Sequence, residues 1–238
     1  MSIKDKIVYY AYKYEGDWSK ISLAIKSNEE VKQIKYKDNF ITFFDDLYPI
    51  ELRKLRFPPW VIFYKGDISL LNRKCISIVG SRNACSYGID ITKKIVLQNK
   101  DKVIVSGLAK GIDAIAHEEA IKITKTIAVI GSGLEYTYPL CNKYLYDILG
   151  KEHLIISEYP YHTKVKKHHF PWRNRIIACL SETLYVTQAR IQSGTMLTVN
   201  EAINLSKEIW SVPYPIYEEE GKGCNLIISQ GANILIDV

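Results

Sequence analysis

From residue 75 onward, short apolar runs of strand length alternate with longer stretches whose apolar positions recur at helical spacing. We predict strands at residues 75–79, 103–105, 126–130, 154–156, 183–186, 208–212 and 233–236. We predict helices between them at residues 89–97, 113–123, 142–149, 174–180 and 196–205. Alternation of this kind is typical of βαβ units joined by right-handed crossovers. The pattern therefore predicts an α/β fold with a mostly parallel sheet.

The first part of the chain has a different pattern. Residues 1–36 are polar with weak helical periodicity, and we interpret them as a small N-terminal helical segment. Two short strands are predicted at residues 41–44 and 60–64, the second after a Pro-Pro pair. We therefore divide the chain into a helical segment, residues 1–36, and a larger α/β domain, residues 37–238.

Glycine-rich turns follow four of the predicted strands, where ligands bind to parallel sheets. The turns contain Gly80-Ser81-Arg82, Ser106-Gly107-Leu108-Ala109-Lys110-Gly111, Gly131-Ser132-Gly133 and Ser193-Gly194-Thr195. One such turn can need glycine for geometry alone, but several on one sheet edge favour a phosphate site. The G-x-G-x-x-G dinucleotide fingerprint is absent, so we predict no nicotinamide or other cofactor.

A basic segment, residues 162–175, carries five lysines and arginines and no acid. It also contains Phe170 and Trp172, and cations interleaved with aromatic rings are suited to single-stranded nucleic acid. The alternative is a solvated loop with its rings in the core, which we favour for Trp172 but not for Phe170. Arg173 has two interpretations that the sequence leaves open: a ligand contact, or a brace against a buried carboxylate such as Glu158.

Composition narrows the class of protein. Of the 238 residues, 47% are apolar and 24% charged, with a net charge of +6, as in an ordinary globular protein. No apolar run reaches the roughly 20 residues of a membrane span, and the first residues lack the apolar stretch of a secretory signal. The five cysteines are isolated and odd in number, which predicts free thiols and a cytoplasmic location.

Two further clusters contain residue types that are common in metal and catalytic sites. His168-His169 has no carboxylate or thiol at ligand spacing, so we predict no metal site. Asp113 and His117 share a helix face, but an Asp at a helix start more often caps free N–H groups. We therefore predict no catalytic residues and no enzymatic activity.

Five motifs stand in order over roughly residues 40–236. They are Gly80-Ser81-Arg82-Asn83-Ala84-Cys85-Ser86-Tyr87-Gly88, Ser106-Gly107-Leu108-Ala109-Lys110-Gly111-Ile112-Asp113-Ala114-Ile115-Ala116-His117, Ser157-Glu158-Tyr159-Pro160, Phe170-Pro171-Trp172-Arg173-Asn174-Arg175-Ile176-Ile177-Ala178 and Ser193-Gly194-Thr195. This series resembles the DNA-processing protein A family (DprA, also called Smf). The resemblance implies an extended Rossmann-like fold with helices on both faces of a mostly parallel sheet, after a short N-terminal helical segment.

The resemblance also implies a function and partners. The family binds single-stranded DNA in natural transformation, protects incoming strands, loads the RecA recombinase onto them and works as a homodimer. By position, Arg82 would contact phosphate, Lys167 and Phe170 would grip the strand, and Ser106, Gly107, Gly194 and Thr195 would line the phosphate pocket. With the turn and basic-segment residues, the predicted DNA-binding set is Ser81, Arg82, Ser106, Gly107, Lys110, Lys164, Lys166, Lys167, Phe170, Arg173, Arg175, Gly194 and Thr195.

This chain also departs from the family pattern. The family usually has an acid after the strand at residues 183–186, where this chain has Thr187-Gln188-Ala189. The chain stops at Val238, so we do not expect the C-terminal winged helix of many members. Two alternatives remain: a nucleotide-binding protein, or an enzyme like the phosphoribohydrolases that act on nucleoside monophosphates. The enzymes carry a Gly-Gly-x-Gly-Thr-x-x-Glu motif, and Thr198 stands here in place of its glutamate.

Overall fold

A computed structural model describes residues 2–32 and 35–237 and arranges them around one mixed sheet. Within that part of the chain, the sheet has nine strands: β1 (Asn39–Thr42), β2 (Val61–Gly66), β3 (Cys75–Gly80), β4 (Val103–Ser106), β5 (Thr126–Ile130), β6 (Leu154–Ser157), β7 (Thr183–Gln188), β8 (Glu208–Ser211) and β9 (Asn233–Ile234). Their spatial order is β1-β2-β6-β5-β4-β3-β7-β8-β9.

Strands β3 to β9 run parallel, and β2 joins β6 antiparallel at one side. From β3 the chain builds outward through β4, β5 and β6, and it then returns to place β7 on the other side of β3. This reversal leaves a crevice at the carboxyl ends of β3 and β7, the position where open α/β sheets bind ligands. The predicted fold class is therefore confirmed.

Helices cover both faces of the sheet. In chain order they are α1 (Ile3–Lys13), α2 (Trp18–Lys26), α3 (Ser86–Gln98), α4 (Ile112–Ile123), α5 (Lys143–Glu152), α6 (His169–Leu180), α7 (Gly194–Asn204) and α8 (Lys222–Ser229). Helices α6, α7 and α8 pack on one face, and α3, α4 and α5 pack on the other. Because both faces are covered, the central strands are largely apolar, as the runs in the sequence predict, with a few buried polar side chains such as Ser77 and Ser106.

The N-terminal helical segment packs against the antiparallel side of the sheet. Ile7 and Ala11 of α1 and Ile21 of α2 share one cluster of buried side chains with Val61 and Phe63 of β2. A capping box at Ser2 and Asp5 begins α1. The two helices therefore bury an outward face of β2 that would otherwise be exposed.

Helix α6 begins earlier than the sequence analysis predicted. We expected a helix from residue 174, but the structure starts it at His169 and places Pro171 in its first turn. Proline is tolerated there because the first N–H groups of a helix have no intrahelical partner. The end of the basic segment is therefore helical, which fixes the direction of its side chains.

Within the part of the chain that the structure describes, no helix has the length and apolar character needed to cross a membrane.

His117 is a buried histidine on α4 whose surroundings favour its neutral form. Its Nδ1 lies 2.7 Å from Oγ1 of Thr126, and that hydroxyl donates to the carbonyl of Ile104, so Nδ1 is the donor. Nε2 is buried without a hydrogen-bond partner among the described residues. Burial lowers the pKa of His117 from 6.5 to about 3. The Asp113–His117 pair is thus not arranged as an acid–base dyad.

This histidine predicts a pH dependence of stability. Below pH 6.5 His117 binds a proton in the unfolded state but not in the folded state. The contribution of His117 to the free energy of unfolding is therefore fully present above pH 6.5 and falls as the pH is lowered. We expect His117→Gln to remove up to about 1.4 kcal/mol per pH unit of this slope. Urea unfolding between pH 6.5 and about 5, where most carboxylates stay ionised, measures it. Equal slopes for the variant and the wild type would contradict the prediction.

Candidate functional site

A cavity of 540 Å³ lies at the crevice between β3 and β7. Its walls come from the turn after β3, the loop after β4, the first turn of α6 and the first turn of α7. Of the predicted site residues, it brings together Ser81, Arg82, Lys167, Phe170, Arg173, Gly194 and Thr195. Segments more than 100 residues apart in the sequence therefore meet at one sheet edge.

Arg82 and two aromatic rings form one wall of the cavity. The ring centroids of Phe170 and Tyr138 are 5.5 Å apart, with the planes tilted by 36°. The guanidinium carbon of Arg82 lies 5.8 Å from the centroid of the Phe170 ring, within cation–π range. Phe170 is half-buried and Tyr138 is 48% exposed. This wall thus presents a cation and an aromatic surface side by side.

Arg82 is one of three exposed cations at or beside this wall, with Lys110 and Lys167. Arg82 and Lys167 line the main cavity, and Arg82 and Lys110 line an adjoining recess of 200 Å³. No carboxylate of the described residues lies within 4.0 Å of their charged nitrogens. Their charges are therefore available to an anionic ligand, in contrast to several other cations of the basic segment.

The start of α7 adds backbone donors to the opposite wall. Ser193 does not cap the helix with its side chain, because its Oγ donates to the carbonyl of Arg190 at 2.8 Å. A Cβ atom at Gly194 would meet nothing within 4 Å, so no packing demand explains this glycine. The first N–H groups of a helix carry partial positive charge. Together with Arg82 and Lys167, this end of α7 favours a phosphate or another anion.

Arg173 forms the floor beneath the cavity. It is 5% exposed, and its Nη1 donates to the carbonyl of Gly107 at 2.7 Å and to the carbonyl of Val129. A Cβ atom at Gly107 would overlap that nitrogen and lie 2.6 Å from Oδ2 of Asp113. Burial raises the pKa of Asp113, and the charge of Arg173 opposes the shift. The structure thus places Arg173 as a brace against strand ends, although through Gly107 and Val129 rather than through Glu158.

Side-chain amides hold the two loops that carry the site. Nδ2 of Asn142 donates to the carbonyls of Leu108 and Ala109, at 3.0 and 3.1 Å. Gln188, the last residue of β7, accepts from the N–H of Cys85 at 2.9 Å and donates to the carbonyl of Asn83 at 3.1 Å. Gln188 therefore positions the turn that carries Arg82.

Ser106 and Arg175, two residues of the predicted set, lie in the interior instead. The Ser106 hydroxyl is fully buried and donates to the carbonyl of Ile78 at 2.6 Å. Arg175 is 4% exposed and forms an ion pair with Glu158 at 2.7 Å. The carboxylate brace that we considered for Arg173 is therefore made by Arg175, whose side chain is directed away from the cavity and into the core.

The remaining lysines of the basic segment face other surroundings. Lys166 pairs with Glu15 at 2.6 Å and lines a separate cleft beside the N-terminal helical segment. Lys164 is exposed and is not among the residues that line the cavity. The structure therefore does not bring Lys164 and Lys166 together with Arg82 and Phe170.

The two adjacent histidines stand at the start of α6 and not on a strand. The His169 ring stacks on Tyr159 with centroids 3.8 Å apart, and its Nδ1 lies 3.0 Å from the carbonyl of Gly131. Burial lowers the pKa of His169 to about 4, so its ring is neutral near pH 7. Among the described residues, no group of three His, Cys, Asp or Glu side chains is arranged to hold a metal ion.

Trp172 also lies outside the cavity. It is half-buried, with its ring centroid 5.7 Å from that of Phe57 and the Arg175 guanidinium 4.2 Å above it.

Tyr138 and Arg190 line the cavity but were missing from the predicted set. Arg190 follows β7 by two residues, so the rule that ligands bind at the carboxyl ends of strands was a sufficient signal for it. Tyr138 comes eight residues after β5, in an irregular stretch whose path the sequence pattern does not define.

Comparisons with known proteins place the chain among relatives. The family model described as DNA recombination-mediator protein A matches residues 39–238. The chain is 41% identical over 194 residues to DNA processing protein DprA of Streptococcus pneumoniae, covering 80% of this chain and 68% of that protein. It is 39% identical over 201 residues to DprA of Bacillus subtilis, covering 83% and 68%.

Two solved structures share the fold. The X-ray structure of DprA from Streptococcus pneumoniae has a TM-score of 0.82 and 32% identity, covering 98% of this chain and 89% of that one. DprA from Helicobacter pylori has a TM-score of 0.77 and 28% identity, covering 86% and 94%, and its structure is described as giving insights into a unique single-stranded DNA binding mode.

The floor predicts that Arg173 matters first for stability. Arg173→Met removes the donor shared by two buried carbonyls and leaves Asp113 without an opposing charge, so we expect a loss of about 3–5 kcal/mol. Lys164→Gln, on an exposed side chain of the same segment, should change stability by less than about 0.5 kcal/mol. Denaturant unfolding measures both. An Arg173→Met protein as stable as the wild type would contradict the role of Arg173 as a structural brace.

Proposed function

The chain belongs to the DNA recombination-mediator protein A family, and from that premise we propose that it binds single-stranded DNA and mediates recombination. The proposal assigns DNA binding to the α/β domain, residues 37–238, with residues 1–36 as an appended helical segment. The observation that carries it is the convergence of Arg82, Lys167 and Phe170 on one cavity.

The chemistry of the cavity suits a single strand. Arg82 and Lys167 have no carboxylate within 4.0 Å among the described residues, so their charges neutralise phosphates and release counterions. Phe170 and Tyr138 offer ring faces, and one stacked base contributes about 1–3 kcal/mol. Unpaired bases expose such faces and bases in a duplex do not, so the wall selects single-stranded over double-stranded DNA. Ring stacking does not read sequence, so base preference should be weak.

The relatives support the same assignment. The Helicobacter pylori structure is described by its single-stranded DNA binding mode, and its chain matches 86% of this one. We propose that Ser81, Arg82, Gly107, Lys110, Lys167, Phe170, Gly194 and Thr195 form the contact surface, with Arg173, Arg175 and Ser106 supporting it from below. Lys164 and Lys166 would then add only long-range attraction.

We further propose that the protein loads RecA onto the bound strand in natural transformation, acts in the cytoplasm and works as a homodimer. Exposed apolar side chains after β8 and after β9 support a partner surface, since Ile216, Tyr217 and Ile236 are 78%, 84% and 86% exposed. A second copy of this chain would remove them from water.

The enzymatic alternative has weaker support. Hydrolysis of a nucleoside monophosphate needs a carboxylate to assist the departure of the base. Thr198 is buried in the cavity wall where the related enzymes carry glutamate. Asp113 is the acidic side chain among the described residues that line the cavity, and its Oδ2 accepts the N–H of Ala109 at 3.4 Å, so it serves the loop.

Binding of fluorescent oligothymidylate tests the site. We expect Arg82→Gln and Lys167→Gln each to weaken binding about tenfold and to lower the salt slope by about 0.7, the value for one phosphate on a single strand. Phe170→Leu keeps an apolar side chain but removes the ring, so it should weaken binding about fivefold or more with an unchanged slope.

Lys166→Gln is the matched control, because it neutralises the neighbouring lysine, which is paired with Glu15 outside the cavity. It should change affinity by less than about twofold. Losses as large for Lys166→Gln as for Lys167→Gln would mean that general charge and not this cavity holds the strand.

RecA loading is tested separately from binding. On single-stranded DNA coated with single-strand binding protein, the wild type should shorten the lag before RecA hydrolyses ATP, and Arg82→Gln should not, because loading needs the strand to be held. In the same buffer, sedimentation equilibrium of the protein alone should give a dimer. A wild type that binds the strand yet leaves the lag unchanged would refute the loading proposal alone.

A further inference from the structure

Arg190 is an additional cation at the cavity, and a carboxylate of the same chain holds it. The residue lines the cavity two positions after β7, and its side chain is 60% exposed. Its Nε donates to Oε1 of Glu220 at 3.0 Å, and its Nη2 donates to the same oxygen. Glu220 lies on the segment between β8 and α8, thirty residues away in sequence, and its side chain is 28% exposed.

We propose that Arg190 is a further phosphate-binding residue of this cavity and that Glu220 occupies its guanidinium until a phosphate replaces the carboxylate. This inference rests on the proposed function and extends it, because it names a contact and an internal competitor for that contact. The ligand class is a phosphodiester or another phosphoryl anion, whose oxygens accept the same pair of N–H donors.

Hydrogen bonds from neighbouring residues hold the backbone at Ala189 and Arg190. The carbonyl of Arg190 accepts from Oγ of Ser193 at 2.8 Å, and the neighbouring carbonyl of Ala189 accepts from the N–H of Gly223 at 2.7 Å. These bonds involve no atom of the Arg190 side chain. A substitution of that side chain therefore removes the guanidinium without removing what holds the start of α7.

An exposed ion pair of this kind is readily exchanged. Pairs between exposed side chains contribute little because water screens them. Here both N–H donors of Arg190 share one carboxylate oxygen, Oε1 of Glu220, whereas a phosphate bound in the cavity offers each donor its own oxygen. Nε2 of Gln188 lies 3.5 Å from the other oxygen of Glu220, so the carboxylate keeps one polar neighbour when Arg190 leaves. The hydrogen bond from Arg190 lowers the pKa of Glu220, as expected for a carboxylate paired with a guanidinium.

The chain offers a matched control beside the pair. Lys222 and Glu219 form an ion pair between exposed side chains next to Glu220 in sequence, and neither residue lines the cavity. Glu219→Gln therefore changes the net charge as Glu220→Gln does. The double variant Glu219→Gln with Lys222→Gln matches Glu220→Gln with Arg190→Gln in the same way.

The experiment compares these four variants in oligothymidylate titrations between about 50 mM and 200 mM salt. We expect Glu220→Gln to tighten binding about threefold to tenfold, because Arg190 is then released to the phosphate. Adding Arg190→Gln to it should weaken binding about tenfold and lower the salt slope by about 0.7. The two control variants should stay within about twofold of each other and of the wild type.

The outcomes separate this inference from the proposed function. If Glu220→Gln binds no tighter than Glu219→Gln, or if removal of Arg190 from the Glu220→Gln protein changes neither affinity nor slope, the inference is overturned. If the wild type itself does not bind oligothymidylate, the proposed function fails. The same four variants titrated with inorganic tripolyphosphate then decide whether Arg190 binds phosphoryl groups, by the same two comparisons.

Discussion

The burial of one guanidinium, that of Arg173, determines the shape of the site. A charge taken out of water must find acceptors, or the fold loses several kcal/mol. Here the acceptors are the carbonyls of Gly107 and Val129, at the ends of β4 and β5. The requirement draws α6 onto the carboxyl edge of the sheet. Because Phe170 lies one turn before Arg173 on the same helix, the brace also fixes where that ring meets the cavity.

The basic segment is therefore not a uniform patch of charge. Arg173 and Arg175 are buried, where they bind the carbonyl of Gly107 and the carboxylate of Glu158. Lys166 is paired with Glu15 of the N-terminal helical segment. The cations that remain for a ligand come from three elements: Arg82 after β3, Lys110 after β4 and Lys167 before α6. A cluster of cations in the sequence can therefore contain both residues that stabilise the fold and residues that are available to a ligand. The distinction depends on which cations meet carboxylates, and those partners are distant along the chain.

The sequence was sufficient to predict the fold and the meeting of Arg82, Lys167 and Phe170 at one cavity. It was insufficient where the partner of a side chain lies far along the chain. Apolar runs identified the strands from β3 onward because parallel strands are buried on both faces. The start of α6 was misplaced because its first turn contains Pro171, and because Arg173 and Asn174 stand three and four residues after Phe170, where helical periodicity would need apolar side chains. Whether Arg173 or Arg175 meets Glu158 was not predictable, because two residues of spacing rotate a side chain to another side of a helix.

The glycines of the turns show why motif and function need separating by structure. At Gly111, with φ of 72°, a Cβ atom would collide with the backbone of Ser81 and Arg82, and at Gly107 it would collide with Arg173. Those two glycines are required by packing, and the loops would need them without any ligand. Gly194 has open space where its Cβ would be, so packing does not require a glycine there. Glycines in similar turns therefore answer to different constraints, because packing requires Gly107 and Gly111 but not Gly194.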